Sequence, residues 1–339
     1  MEPAPWHAVP VLSELQSREV ELVAAYAAPV LDPRQTSRLL KEVSALHPLP
    51  AQPHLKRVRS SPGTGQGLDL LLCLAAPAAD PTGDPPSLDQ LLPPPAVDSQ
   101  GLGAPFLVDV PAWPPLTRRQ FEQARAHWPT SFHEDRQVTR ALAGQLFSAA
   151  ECATMQGHME CAVQAAHRAA ARGLRAVGIV VVDPVTGGML ATAHDCRNTR
   201  RPLLHAAMVG IDLVARGQGR GALELDLAHL PACTFAPPLL ARAGTVRKLA
   251  PAEANGVGED QDPPYVCTGL DVYMTREPCL MCAMALLHSR VRRVFYGAAS
   301  PDGALGSRFR LHAMPDLNHR FQVFRGVLEP QCRALDPDP

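Results

Sequence analysis

The sequence predicts an α/β protein in which a sheet covered by helices follows a smaller α+β domain. Three observations lead there. The chain has 339 residues, 46% of them apolar and 19% charged, enough to bury more than one core. Thirty-five residues are proline, about twice the usual share of roughly 5%, and eleven of these lie between Pro77 and Pro115, so a loop-rich stretch interrupts the first region. From Arg140 onward, helical and extended patterns alternate in the order of a helix-covered sheet.

In the first region, residues 19–27 read as a strand. Residues 33–46 read as a helix burying Leu39, Leu40, Val43 and Leu46, and residues 68–74 as a second strand. PFLVDV, from Pro105, is a third strand. Thr117 then opens a helix: Gln120 three residues on completes a capping box, and Phe121, Ala124 and Trp128 share one face. These elements define an α+β domain over residues 1–135. From Arg140 an alanine-rich helix is expected to about Arg172. AVGIVVV, the turn DPVTGG and MLATAHD then form a hairpin. A helix starts near Leu204. An irregular insertion at about 217–264 precedes the strand LDVYMT, the helix PCLMCAMALLHS and the strand VRRVFYG, which complete a second domain over residues 140–335.

Thirty-two Lys plus Arg against thirty-three Asp plus Glu give a net charge of -1, so any nucleic-acid surface must be a local patch. No apolar run approaches the roughly 18 residues that span a bilayer, and MEPAPWHAVP lacks the charged and apolar blocks of a signal peptide. An intracellular protein is expected, nuclear or cytoplasmic, without a clear import signal. Nine cysteines at irregular spacing do not suggest a disulfide framework, and metal ligation is the better use of a tight pair.

PCLMC supplies that pair. Pro278 suits a first helical residue, and Cys279 and Cys282 lie one turn apart on one face. A helix amino terminus favours thiolate, the form that binds zinc. The bland alternative is two cysteines packed as small hydrophobes. His205, at the start of LLHAAMVGIDLV, is a candidate third ligand, and the bland alternative is a core histidine. The order histidine, strand, P-C-x-x-C is more specific than either part.

That order resembles the zinc-dependent base deaminases, whose signature is H-x-E followed by P-C-x-x-C. The likeness runs over roughly residues 140–325. LDVYMTREPCLMCAMALLHSRVRRVFYG, with its Glu-Pro-Cys and x-x-Cys helix, is similar to the tRNA adenosine branch of the cytidine/deoxycytidylate deaminase superfamily. The resemblance implies a cytidine-deaminase-like three-layer α/β/α core and a Zn2+ cofactor held by His205, Cys279 and Cys282. The departure is at Ala207, where the signature has the glutamate that relays protons to the base and the leaving ammonia. Losing such a group costs on the order of 10²- to 10⁴-fold. Glu277 belongs to the Glu-Pro-Cys part and is no evident substitute, and Glu253 falls in the insertion. A disabled domain that keeps its ligands resembles the non-catalytic subunit of the eukaryotic heterodimeric tRNA wobble adenosine deaminases. A catalytic partner subunit, a tRNA substrate modified at wobble adenosine 34, and no catalytic residue in this chain are therefore expected.

Without chemistry, zinc becomes a staple between two helix starts, its fourth position open to water or to a tail carboxylate such as Asp336 or Asp338. The helix from Cys282 to His288 is a candidate partner face, although Met281, Met284 and Leu287 equally suit this chain's own core. Lys56, Arg57 and Arg59, with Arg118, Arg119 and Arg125, are candidates for a phosphate-binding face on the amino-terminal domain, each group alternatively being solvated surface. Arg290, Arg292 and Arg293 point to alternating faces of a strand. Two other readings stay open: an active deaminase with a substitute proton shuttle, and a zinc-stabilised adaptor without an RNA role.

Overall fold

The computed structural model describes residues 6–61, 67–75, 86–225, 233–236 and 265–335. They form two compact units, Leu15–Thr139 and Met1–Glu14 with Arg140–Pro339. The chain opens with β1 (Val9–Pro10), which pairs with the last strand of the larger unit although the sequence groups it with residues 1–135. The single turn α1 (Glu14–Ser17) follows.

The smaller unit is a four-stranded antiparallel sheet in the order β3 (Val58–Ser60), β4 (Leu68–Leu74), β2 (Leu22–Val30), β5 (Phe106–Pro111). Alternation in β4 sends Leu70 and Leu72 to one face, against Leu39 and Val43 of α2 (Thr36–Leu46), and Leu71 to the other, against Trp128. Burial on both faces explains why LDLLLCL reads as one apolar run. The turn α3 (Leu88–Leu91) leads towards β5. Helix α4 (Arg118–His127) starts in the expected capping box: the Thr117 hydroxyl accepts from the Gln120 N–H at 3.3 Å, and the Gln120 side chain accepts from the Thr117 N–H at 3.2 Å. Trp128 follows it, fully buried, with Nε1 donating to the Lys56 carbonyl at 2.6 Å.

The expected single helix from Arg140 is two, α5 (Arg136–Leu142) and α6 (Ala149–Ala170). Gly144 takes a left-handed φ of 68°, and a second capping box then restarts the helix, with Ser148 and Glu151 exchanging backbone-to-side-chain bonds. Beyond it stands a seven-stranded sheet. β6 (Gly178–Val182) and β7 (Met189–His194) form the expected hairpin, β8 (Thr234–Phe235) pairs with β7, and β9 (Asp271–Arg276) pairs with β6. β10 (Arg293–Ala298) and β11 (Gln322–Arg325) continue it parallel to β9, and β1 closes it antiparallel.

This sheet is covered on both sides. In β6, Ile179 and Val181 face the cluster built with α7 (Ala206–Gly217) and α8 (Leu280–His288), whereas Val180 and Val182 face Met155 and Met159 of α6. Val327, Leu328 and Cys332, the last on α9 (Glu329–Arg333), complete that second layer. Gly178 is where α6 comes closest, since a Cβ there would stand 1.9 Å from the Ala162 carbonyl oxygen. The arrangement is a three-layer α/β/α core, as the resemblance implies. Strands β1, β8 and β11 carry no period of their own in the sequence. Of the insertion, only 217–225 and 233–236 are described, and Glu253, Asp336 and Asp338 lie outside the described residues. Among the described residues no helix is long and apolar enough to cross a membrane.

Candidate metal centre

The hairpin and the β9-α8-β10 crossover bring two helix starts together. His205 is the N-cap of α7 and Cys279 the N-cap of α8, so the helix begins one residue after Cys279 and not at Pro278. The His205 imidazole makes no capping bond and stays available to a ligand. Its Nδ1 lies 3.6 Å from the Cys279 sulfur, and one ligand atom each of His205, Cys279 and Cys282 falls within 4.8 Å of the others. Metal distances of about 2.3 Å to sulfur and 2.0–2.1 Å to nitrogen put tetrahedral nitrogen and sulfur ligands about 3.5 Å apart, so this donor set fits zinc. The Cys282 thiol, hydrogen-bonded to Cys279, outweighs partial burial and with the N–H groups of Cys282 and Met281 brings Cys279 down to about 5. Cys282, facing that anion and buried, is pushed up in return.

A cleft of about 420 Å³ opens over these three side chains. Ala207, fully buried in the first turn of α7, lines it and presents only a methyl group. Among the described lining residues three carry carboxylates, and each is engaged. Asp195, 1% exposed, receives Arg197 Nε at 2.9 and 2.8 Å and Nη2 at 2.6 Å. Asp302 accepts from Arg308 at 3.2 Å in solvent. Glu277, 3% exposed, accepts from the N–H groups of Leu305 at 2.9 Å, Ser307 at 3.0 Å and Ser300 at 3.2 Å, and from the Ser307 hydroxyl. A carboxylate held by four donors binds a loop. It has no lone pair left for moving a proton.

Arg197 Nη1 stands 3.4 Å from His205 Nε2. With Nδ1 on a metal the ring proton sits on Nε2 and faces the guanidinium, whereas without one Nε2 accepts from it. Arg197 therefore stands against the outer nitrogen of the ligand ring, a residue that spacing alone does not single out.

The other sequence candidates divide. Arg57 donates to the carbonyls of Leu71 at 3.2 Å, Leu72 at 2.9 Å and His47, and Arg59 pairs with Asp69 at 2.9 Å while covering the Trp128 ring at 4.3 Å. Both guanidinium groups are turned into the smaller unit. Lys56, Arg118, Arg119 and Arg125 are exposed, with Arg118 beside Glu122 and Arg119 beside Glu19. Lys56 is tied to the end of α4, its N–H donating to the Pro129 carbonyl at 3.0 Å. On α8, Leu287 is buried, Met281 and Met284 pack partly on the core, and Leu280 is 45% exposed. Arg293 pairs with buried Asp271 at 3.0 Å and is no free cation.

Residues 153–298 match the family model described as the cytidine and deoxycytidylate deaminase zinc-binding region. Residues 23–128 match the tRNA-specific adenosine deaminase TAD3 N-terminal domain. The chain is 70% identical over 342 residues to the human probable inactive tRNA-specific adenosine deaminase-like protein 3, an alignment covering 99% of this chain and 94% of that protein. It is 48% identical to the Danio rerio protein of the same name, over 97% of this chain and 94% of the other. It is 26% identical to Arabidopsis thaliana tRNA-specific adenosine deaminase TAD3, over 94% and 95%. With that likeness running through both units, the chain belongs to the family of tRNA-specific adenosine deaminase-like protein 3, within the cytidine and deoxycytidylate deaminase superfamily.

Proposed function

We propose that this chain is a non-catalytic, zinc-binding subunit of a heterodimeric tRNA adenosine deaminase that converts wobble adenosine 34 to inosine, and that it supports a catalytic partner and helps to position tRNA. The carrying observation is Ala207, a methyl group beside a complete His205, Cys279 and Cys282 set, with every lining carboxylate among the described residues engaged elsewhere. The names of the vertebrate relatives, which call them probable inactive, support the same reading. An intracellular site of action, nuclear or cytoplasmic, goes with it. The test is inosine formation on tRNA by the chain alone, by the catalytic partner alone and by both together. Activity only in the third preparation is expected, and turnover by the lone chain would overturn the proposal.

In this role zinc, which as a Lewis acid activates water in deaminases that have the glutamate, serves here to tie α7 to α8. Cys279→Ser is expected to remove one equivalent of zinc from the full chain and to lower its melting temperature by roughly 5–10 °C, as a loss of about 2–3 kcal/mol would in a unit of this size. Metal analysis and a thermal melt check both.

For tRNA, the exposed set of Lys56, Arg118, Arg119 and Arg125 supports a phosphate-binding face, since α4 and the Lys56 backbone are joined through Trp128 and Pro129. Alanine at all four, in the heterodimer, is expected to weaken tRNA binding. The slope of log affinity against log salt should fall by about 0.7–0.9 for each phosphate that is no longer neutralised. Unchanged affinity and slope in a salt titration would remove the smaller unit from RNA recognition. The partly exposed Leu280, Met281 and Met284 of α8 support this helix as the partner face.

A further inference from the structure

Outside the cleft, His194, Cys196 and Cys233 form a second cluster of soft ligands, all three buried and with ligand atoms within 4.8 Å of one another. The Cys196 sulfur lies 3.9 Å from the Cys233 sulfur. A tetrahedral zinc ion with bonds of about 2.3 Å to sulfur sets two sulfur ligands about 3.8 Å apart. The observed sulfur spacing is that edge. A disulfide would need the sulfurs about 2.05 Å apart, and both cysteines are free.

The histidine gives an independent reason. His194 is fully buried, its Nδ1 lies 2.8 Å from the Asp195 carbonyl oxygen, and its Nε2 has no hydrogen-bond partner among the described residues. With the proton on Nδ1 the ring donates to that carbonyl and leaves a bare buried lone pair on Nε2. With the proton on Nε2, an N–H is orphaned instead, and the Nδ1 lone pair meets the carbonyl oxygen. Every protonation state leaves a buried polar atom unsatisfied, which costs about 1–3 kcal/mol. A bound cation uses the free lone pair, and a backbone carbonyl on the other nitrogen is the usual way a ligating imidazole is oriented.

We propose that His194, Cys196 and Cys233 bind a second, structural Zn2+ ion. The site lies where two otherwise weakly held segments meet. Cys233 immediately precedes β8, a two-residue strand that pairs with β7 through Ala191 with Phe235 and Thr192 with Thr234. Cys196 opens the loop that carries Arg197 and returns to His205, and its N–H donates to the Leu204 carbonyl at 2.9 Å. A metal here would fasten the edge strand to the end of β7 and set the path by which His205 reaches the first site.

The proposal does not depend on the function given above, and its test needs no activity. Zinc is counted on the full chain, alone or with any subunit that purifies with it and whose own zinc is subtracted, for wild type and for Cys233→Ser, Cys196→Ser and Cys279→Ser. Two equivalents are expected in wild type and one in each variant. Crystals of the same wild-type preparation, measured on both sides of the zinc absorption edge, give a readout that survives any misfolding of the variants. An anomalous peak between His194, Cys196 and Cys233 is expected. A folded wild type showing a peak at His205 and none at the second cluster, or a disulfide joining Cys196 to Cys233, would overturn the proposal. So would a Cys233→Ser chain that keeps the full wild-type zinc count.

Discussion

Glu277→Ala is expected to unfold the larger unit under conditions in which the wild type stays folded. The carboxylate sits directly before Pro278 and Cys279 and is 3% exposed. Three backbone N–H groups, from Ser300, Leu305 and Ser307, and one hydroxyl converge on it. Alanine leaves the buried Leu305 N–H and the part-buried N–H groups of Ser300 and Ser307 without their acceptor; at about 1–3 kcal/mol for the buried donor and less for the two that water reaches, the loss is roughly 2–5 kcal/mol. That is a large share of the roughly 5–15 kcal/mol that typically holds a domain together. Gly303 shows how closely the loop is moulded to this group, since a Cβ there would stand 2.1 Å from the carboxyl carbon. Urea denaturation of the full chain provides the check. Glu277→Gln should fall between wild type and alanine, because it keeps one acceptor oxygen but turns an NH2 towards donors. If Glu277→Ala unfolded at the wild-type urea concentration while the complex lost deamination, the residue would be acting on protons, and the reading of this chain as an active deaminase would return.

What the sequence showed clearly was whatever has a short-range cause. The Thr117 and Gln120 box, the β6/β7 hairpin around DPVTGG, and the strand, Cys-x-x-Cys helix and strand succession all follow from local propensity or period, and they stand where expected. The break between α5 and α6 was legible too, in Ser148 and Glu151, but alanine richness masked it. β1 and β11 were not legible, because two- and four-residue strands exist only through their partners. Charge misled for the same reason: Arg57 and Arg59 read as surface in the sequence, yet their acceptors, His47, Leu71, Leu72 and Asp69, are distant or neutral backbone. The His205 set was found because two of its members share one helix turn. The His194 cluster was not, since Cys233 is 37 residues from Cys196 and only the pairing of β8 with β7 unites them.

Ala207→Glu is expected to give the chain deaminase activity of its own, on the order of 10²- to 10⁴-fold above the unmodified chain, the range a positioned general acid or base supplies. The argument is local. Position 207 lies in the first turn of α7, where the helix dipole stabilises a carboxylate, and it lines the same cleft as His205, Cys279 and Cys282. Arg197, a cation that lines the same cleft, is already held by Asp195 through both carboxylate oxygens, so it is not free to pair with a new glutamate and suppress its basicity. The measurement pairs the variant with a catalytic partner whose own glutamate has been replaced, so that any inosine comes from this cleft. Zinc content and a thermal melt of the same preparation establish that it is loaded and folded. A folded, zinc-loaded variant that stayed at background would mean that the missing carboxylate is not what separates this chain from an enzyme. The wall of the cleft, which Arg175, Arg197 and Arg276 also line, would then be the obstacle. Activity that rose and then vanished on Cys279→Ser would tie the proton relay to the metal ligands within this one chain.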